Sequence, residues 1–453
     1  MEKTEYKGSW FVPEKPDAVI PGLLHFEKSG RITLDLQGTL TDPKGTRPQS
    51  LPLILGKSTE GTTITLYGCI QTNTSWGIEG VRETSFLIVG VLIGAHFSSS
   101  EGIVFGQLTA TFPQLDYWIG SSGVKVELPD RKTMVITKQS SFLASAKLPE
   151  MSISIGFSFT DHSGKDEVSV KYVPFVSIEL KKEIQLKKLL DLLYHLCNFF
   201  ALAVCLPVYA ESINGFTETV KVTLPNGKPF RRPIKIIYGN VNWGVPLDTV
   251  DIGGMLFEFA GIRDQFESIL KKWFDKVELL EPIYGMYFGT LYNKGMYLQH
   301  KFLSLVQCVE SYHRRVVRNY ELPQEQAERR VQEILKSAPD GHRDWLRNKL
   351  RYSNEPTLRK RLEELVQSFS FVEFEDTGQF IEDVVNTRNY LTHYDKELKE
   401  LSASPAKMSS LARKLAALTE AILLTEFGLP ADKVKSLAEH ISQRRAGIRS
   451  FDF

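Results

Sequence analysis

The residues with the clearest chemical potential lie near the end of one amphipathic segment, "IEDVVNTRNYLTHYD" (381–395). Arg388 and Asn389 are adjacent in it, and His393 follows five residues after the arginine. An imidazole takes or gives a proton near neutral pH, and a guanidinium stays charged and fits phosphate oxygens with its planar fork. These groups suit metal-free cleavage of an RNA phosphodiester. His393 would exchange a proton with the ribose 2′-OH or the leaving oxygen, and Arg388 would stabilise the charge that develops on the phosphate.

The spacing of the apolar residues in this segment predicts a helix with one buried face, formed by Ile381, Val384, Val385 and Leu391. Arg388 continues that face, so its charge needs a partner or must line a cleft or interface. Asn389 and His393 lie four residues apart, where the amide could fix the orientation and tautomer of the imidazole. Arg388 and His393 are about 140° apart around a straight helix. They converge on one phosphate only if the helix ends or bends, or if a second subunit supplies one of them.

Spacing alone leaves two interpretations of this segment open. An arginine followed by a histidine after four to six residues is expected about once by chance in a chain of this composition, and the adjacent asparagine lowers that expectation about twentyfold. The alternative to a catalytic pair is a capped helix end with an exposed histidine. One histidine cannot easily serve as both base and acid, whereas two copies across a dimer could divide those roles.

Composition bounds the class of protein to which these residues belong. The 453 residues predict two or three domains, and 42% hydrophobic with 24% charged residues are ordinary for a globular protein. A formal net charge of +1 gives no overall attraction to nucleic acid or to an anionic membrane. The four cysteines have neither paired nor zinc-type spacing, and no secretory signal opens the chain, so we expect a reduced cytoplasmic location.

The pattern of apolar residues changes once along the chain, from strand-like to helical, which predicts an α+β protein. Its first part carries short runs rich in Ile, Val, Thr and aromatic residues, typical of an antiparallel sandwich or a barrel-like sheet, and from about 256 onward the pattern is helical. We predict a β-rich domain over 1–255, a helical connector over 256–295 and a helical bundle over 296–453. Within the first domain, a helix at about 184–206 is expected to be buried. The overlapping apolar run 189–209 is long enough to span a membrane, but Asp191, His195 and Asn198 lie inside it and favour a core helix.

These residues resemble the HEPN superfamily, whose ribonucleases carry Arg, four to six residues and His, often as R-N-x-x-x-H; here it reads "RNYLTH". The segments 300–315, 343–366 and 380–395 resemble successive helices of the ApeA-like HEPN domain, and 8–38 resembles its N-terminal companion. The resemblance implies a bacterial anti-phage protein of the abortive-infection type, with a metal-independent endoribonuclease active as a homodimer. It implies that a phage-derived trigger acts through the N-terminal domain. Arg388 and His393 would be the catalytic pair and Asn389 the supporting polar residue.

Residues outside the motif could also contribute to the site. HEPN enzymes often place an acidic residue on an earlier helix, and Glu310, which interrupts an apolar stripe, could pair with Arg388. The basic run His313, Arg314 and Arg315 could touch RNA phosphates or could form a solvated helix face. No third ligand completes a metal site beside "HYD" (393–395), and no Walker-type loop appears, so we expect no cofactor. A non-catalytic HEPN scaffold that binds a ligand and dimerises is the alternative function, and a membrane-associated sensor is a third.

Overall fold

The computed structural model describes residues 4–27, 29–40, 49–76, 82–223, 225, 227, 229–238, 254–317, 320–372 and 374–437. The chain divides into two compact units: Met1–Val204 with Val208–Glu267, and Cys205–Pro207 with Ser268–Phe453. The first is β-rich and the second helical, so the α+β prediction is confirmed. The segment 256–295 contributes to both units, and the domain limits given above stay predictions. Within the described ranges, no helix combines the length and apolar character that crossing a bilayer requires.

Six antiparallel strands of the first unit close into a barrel, because β1 pairs with both β2 and β4, and β6 pairs with both β3 and β5. Their bounds are β1 (Glu5–Phe11), β2 (Ile20–Phe26), β3 (Ile32–Leu36), β4 (Ser50–Ser58), β5 (Thr63–Trp76) and β6 (Arg82–Ile93). Alternate side chains fill the interior, as period-two patterning requires. Trp10 is fully buried there and lies against Gly56, where a Cβ would come within 2.3 Å of the indole ring. Of the two arrangements that the sequence left open, these strands adopt the barrel.

Strand β6 also joins the barrel to a second antiparallel sheet. Thr84–Leu87 of β6 pair with β3, whereas Gly90–Ile93 pair with β16. From β6 the sheet continues in the order β16, β13, β7, β12, β11, β10. Its strands are β7 (Val104–Thr111), β10 (Phe142–Lys147), β11 (Met151–Ser163), β12 (Val168–Gln185), β13 (Ser212–Phe216) and β16 (Ile234–Tyr238). Two small hairpins are separate from this sheet. One pairs β8 (Val124–Glu127) with β9 (Val135–Lys138), and the other pairs β14 (Lys221–Thr223) with β15 (Pro229–Arg231).

The long apolar helix predicted at about 184–206 is present as α2 (Leu186–Val204), which packs against β7 and β12. Its polar residues occupy different environments: Asp191 is exposed, His195 is half-buried and Asn198 is fully buried. Two short α-helices also lie in the described part of this unit, α1 (Leu115–Ile119) and α3 (Phe259–Ile262), and Trp118 of α1 packs edge-on against Phe200 of α2. The segment is therefore a core helix of the β-rich unit.

The second unit is a bundle of helices around an aromatic and aliphatic core. Its elements are α4 (Phe266–Asp275), α5 (Val277–Tyr292), α6 (Leu298–Tyr312), α7 (Gln324–Ser337), α8 (Arg343–Leu350), α9 (Leu358–Ser368), α10 (Thr377–His393), α11 (Lys396–Lys399) and α12 (Pro405–Glu426). Pro405 stands at the first position of α12 after the N-cap Ser404, and Gly428 adopts a left-handed conformation just after that helix. A proline at the first position of a helix and a glycine just after its end are typical start and stop signals.

Candidate active site

The motif Arg388–His393 occupies the last turns of α10, the helix whose buried face packs against α6, α9 and α12. Asp376 caps the N-terminus by accepting from the backbone N–H of Gln379 at 2.9 Å. Tyr394 ends the helix in a left-handed conformation, with φ of 53° and its N–H donating to the carbonyl of Tyr390. The helix is thus specified at both ends, and His393 is its last residue.

Arg388 lies at the edge of the buried face rather than within it. Thr387 is fully buried and takes the place on the stripe that the sequence assigned to Arg388, while Arg388 is half-buried. Its Nη1 donates to Oδ1 of Asn389 at 3.1 Å. The guanidinium is therefore held beside the helix with part of its surface accessible, as a phosphate ligand needs.

Asn389 is hydrogen-bonded to the arginine that precedes it. Its Oδ1 accepts from Arg388, and no hydrogen bond joins it to His393 among the described residues. The charge of the neighbouring guanidinium makes it a strong donor for the amide oxygen, and the role of Asn389 in fixing the imidazole tautomer stays a prediction.

His393 is exposed and makes no hydrogen bond or ion pair with any residue that the structure describes. The helix stays regular up to it, since the Thr392 hydroxyl donates to the carbonyl of Arg388 at 2.7 Å and the Tyr394 N–H bonds to Tyr390. Arg388 and His393 therefore keep the angular separation of about 140° that an unbent helix imposes.

Glu310 does not pair with Arg388 in the described structure. Glu310 lies in the last turn of α6, and its Oε1 accepts from Nη2 of Arg314, four residues on, at 3.3 Å. Arg314 also contacts Glu355 at 3.1 Å. The predicted long-range pair is replaced by a local one because two side chains four residues apart on a helix are already neighbours.

The basic run after Glu310 does not form one exposed surface that could contact RNA. His313 begins a π-helical turn, His313–Val317, and has no exposed surface. Arg315 is exposed, but its Nε donates to the carbonyl of Leu279 at 2.8 Å. A role in touching RNA is thus corrected for His313, which is enclosed, and stays a prediction for Arg314 and Arg315.

His313 belongs to a buried polar cluster that sequence reasoning missed. Its Nε2 lies 2.7 Å from Oε2 of Glu364, and its Nδ1 lies 3.2 Å from Nη1 of Arg361, which is 2% exposed. Arg361 also donates from Nε to the carbonyl of Pro356 and from Nη2 to Glu355. Since a guanidinium only donates, Nδ1 accepts from Arg361 and Nε2 donates to the carboxylate of Glu364.

Desolvation is the main cause that lowers the pKa of Arg361, and the nearby positive charge of Arg314 lowers it further, while Glu355, Glu310 and Glu364 raise it. The cluster ties the end of α6 to α9 beside the motif helix. A signal for it existed in the sequence: Arg361 interrupts the apolar stripe of α9 three residues after Leu358 and four before Leu365, the same kind of interruption that drew attention to Arg388.

Other features of this unit do not coincide with the motif. A cavity of about 250 Å³ is lined by α9 and the start of α10, including Thr377 and Ile381. Ile381 lies 12 residues before His393, which corresponds to about 18 Å along the helix. Among the residues that the structure describes, no group of three or more His, Cys, Asp or Glu side chains could hold a metal ion.

Comparison with protein families gave two matches that together cover most of the chain. A model described as ApeA N-terminal domain 1 matches residues 5–273, and a model described as Apea-like HEPN matches residues 303–433, which include the motif on α10. No curated protein matches the chain. No solved structure matches it either. Since the first model alone covers more than half of the sequence, this chain belongs to the ApeA family and carries the ApeA N-terminal domain 1 followed by an Apea-like HEPN domain.

Proposed function

We propose that this protein is a metal-independent endoribonuclease of anti-phage defence, which cleaves RNA with Arg388, Asn389 and His393. Its family suggests anti-phage defence and a HEPN domain of the nuclease type. The observation that carries the finer proposal is the pairing, at the end of one helix, of a half-buried guanidinium held by its neighbour with an exposed imidazole.

The reaction requires no water and no external reagent. His393 removes the proton from the ribose 2′-OH, O2′ forms a bond to phosphorus, and the bond from phosphorus to O5′ breaks. The imidazolium of His393 then gives this proton to the departing 5′-oxygen, and the products are a 2′,3′-cyclic phosphate and a 5′-hydroxyl. Arg388 stabilises the additional negative charge on the phosphate oxygens during this exchange.

The geometry of α10 supports a site built by two chains. Arg388 and His393 point about 140° apart on an unbent helix, so a single helix is poorly arranged to turn both side chains toward one phosphate. A homodimer with two-fold symmetry would form two equivalent sites. Each site would contain Arg388 of one chain and His393 of the other. The buried cluster around Arg361 would then keep the helices behind α10 in register.

The β-rich unit is the proposed regulator. It is a separate compact unit that matches its own family model, as a sensing module would. We propose that a phage-derived molecule acts on it in the bacterial cytoplasm, and that RNA cleavage then stops growth of the infected cell.

One observation favours a second function, a HEPN scaffold without catalysis. Within the part of the chain that the structure describes, Arg388 and His393 are not hydrogen-bonded to each other, and Glu310 does not complete the site. In that case alanine at Arg388 or His393 would alter stability or assembly but not RNA turnover.

The deciding experiment incubates the purified protein with total bacterial RNA, with and without phage lysate. Arg388→Ala and His393→Ala should each slow cleavage at least about a hundredfold with an unchanged melting temperature, since each removes a group acting in the transition state. His300→Ala is the matched control because His300 is also an exposed histidine on a helix of this unit. A chelator should leave the rate unchanged, and fragments should end in cyclic phosphate. Cleavage by either motif variant at the parental rate contradicts the assignment.

A further inference from the structure

Residues 321–354 lie between α6 and α9 and form a segment whose two ends are hydrogen-bonded to each other. We call this segment the α7–α8 arm. Its two ends are tied together by Asn354, whose Nδ2 donates to the carbonyl of Leu322 and whose Oδ1 accepts from the Leu322 N–H, both at 2.9 Å. The N–H of Glu321 donates to the carbonyl of Asn354 at 3.1 Å. The arm therefore leaves and rejoins the bundle at one point.

The arm is held by its own contacts and contributes little to the core. Arg343 donates from Nε to the carbonyls of Leu335 and Ala338 at 3.0 and 3.1 Å, which satisfies acceptors at the end of α7 and fixes α8 against it. None of the residues of α8 is buried, and Ala327 is the buried residue of α7. The outer surface of the arm is thus free for a role other than packing.

Helix α8 and the turn that follows it carry two exposed aromatic side chains, with a lysine between them in sequence. Trp345 and Lys349 lie four residues apart on α8 and therefore share a face, and Tyr352 follows in the turn after the helix ends at Leu350. Trp345 is 61% exposed and Tyr352 is 63% exposed. Lys349 is exposed and has no ion pair among the described residues. We call these three residues the basic-aromatic face; an exposed tryptophan and an exposed tyrosine within one short segment are typical of a surface that binds a ligand.

We propose that the basic-aromatic face binds single-stranded RNA, with bases stacked on Trp345 and Tyr352 and a backbone phosphate on Lys349. The proposal rests on the proposed nuclease function and names a binding site for its substrate. Aromatic side chains stack on any unpaired base, and a positive charge between them meets the phosphate that links successive bases.

The charges along α8 favour a polyanion. Arg343 and Arg347 are already paired with Asp340 and Asp344, at 2.5 Å each. The cations that remain without an ion pair among the described residues, Lys349 and Arg351, lie at the same end as Tyr352, and the guanidinium of Arg351 lies over the Tyr352 ring. The free charge is therefore concentrated beside the exposed rings.

A second copy of the chain is a poorer occupant of this face. Two aromatic side chains of about 150–250 Å² each, a little over three-fifths exposed, offer about 200–300 Å², against about 800 Å² per partner in a stable interface. Lysine is depleted at the centre of such interfaces, and Lys349 occupies the centre here.

The test measures anisotropy of a fluorescein-labelled, unstructured 20-nucleotide RNA bound to the full chain carrying His393→Ala, which keeps the probe intact. Trp345→Ala and Tyr352→Ala should each weaken binding about five- to hundredfold, and Trp345→Phe should retain most of the affinity. Lys349→Ala should lower the slope of log affinity against log salt by about 0.7. Tyr297→Ala and Lys271→Ala, exposed residues of the same types outside the arm, should leave both quantities unchanged.

The outcomes separate this proposal from the nuclease function. The proposed RNA-binding face is wrong if the three arm variants bind RNA with the parental affinity. It is also wrong if the two control variants lose as much RNA affinity as the arm variants do. Both conclusions hold even if the parent chain cleaves RNA. Arm-dependent binding by a chain that never cleaves RNA supports the face and rejects the nuclease. Loss of dimers by light scattering with unchanged RNA affinity would assign the face to self-association and overturn the proposal.

Discussion

Pairing two inactive variants in one dimer tests whether the site is shared between chains. Arg388→Ala and His393→Ala are co-expressed with different affinity tags, and the heterodimer is isolated by two successive tag steps. On α10 the two residues are five positions apart, which gives about 500° of rotation, or 140° net, and about 7.5 Å of rise. Because the helix is regular up to His393, its geometry favours a site in which Arg388 of one chain and His393 of the other contact one phosphate.

If each site takes its arginine from one chain and its histidine from the other, this heterodimer keeps one of two sites intact. Its rate should be about half the parental rate per dimer, whereas each variant homodimer should be at least about a hundredfold slower than the parent. The matched control pairs a parental chain with a chain carrying both substitutions. It contains the same number of intact residues, yet both of its shared sites lack one group, so it should be inactive.

The assay follows release of a fluorophore from a quenched RNA, with the oligomeric state checked by light scattering. A site within one chain predicts the reverse pattern, in which the parent paired with the double variant is half-active and the heterodimer of single variants is inactive. That pattern would refute the reasoning from helix geometry. Inactivity of both heterodimers would refute it as well, because each site would then need both copies of the pair.

Three further predictions concern the surroundings of the site and the β-rich unit. Thr387→Val should lower the free energy of unfolding by about 1–3 kcal/mol in urea titration, because the backbone N–H of Ala403 loses the hydroxyl acceptor that lies 2.9 Å away. Thr387→Ser keeps the hydroxyl and should retain this stability. A Thr387→Val variant with the parental free energy of unfolding would contradict this role. Arg361→Met should lower the free energy of unfolding by about 3–5 kcal/mol, because it leaves buried acceptors unpaired. Arg361→Lys should recover only part of this stability, because an ammonium lacks the planar fork of the guanidinium. A loss below about 1 kcal/mol in Arg361→Met would contradict the prediction. Burial raises the pKa of Cys69 from 9.0 to about 12, so the folded thiol keeps its proton where the unfolded one loses it, and stability falls as pH rises above 9. Relative to Cys69→Ala, the parent should lose about 1.4 kcal/mol at pH 10, and an unchanged difference between the two proteins from pH 7 to pH 10 would contradict this.

The elements were predictable from the sequence where the signal is local. Period-two runs such as those in β11 and β12 and the apolar stripe of α10 follow from neighbouring residues alone. Closure of the barrel was not predictable, because it depends on β1 pairing with β4 and on β6 serving two sheets, and neither contact leaves a trace in local spacing. Sequence therefore indicated strands and a fold class but not the topology.

The site shows a similar limit at the scale of single side chains. Periodicity placed Arg388 on the buried stripe, but Thr387 occupies it, since a one-residue error in phase rotates a side chain by about 100°. The partner of Glu310 was predicted to be distant and is four residues away. Arg361 could have been found by the criterion applied to Arg388, because a charge within an apolar stripe must be paired. Its partner His313 could not, because the contact joins two helices.

The different environments of Arg388 and His393 suit the different tasks proposed for them. Stabilising a developing charge works best with a cation that is already in place, because no reorganisation is then needed during the reaction. Arg388 is half-buried and bonded to Asn389, so its guanidinium has little freedom to lose. Proton transfer instead needs an imidazole that reaches both O2′ and O5′ and exchanges protons with solvent, and His393 is exposed at the end of its helix. If RNA is also held on the basic-aromatic face, part of the binding energy arises away from the reacting phosphate, and the motif needs to bind only the transition state tightly.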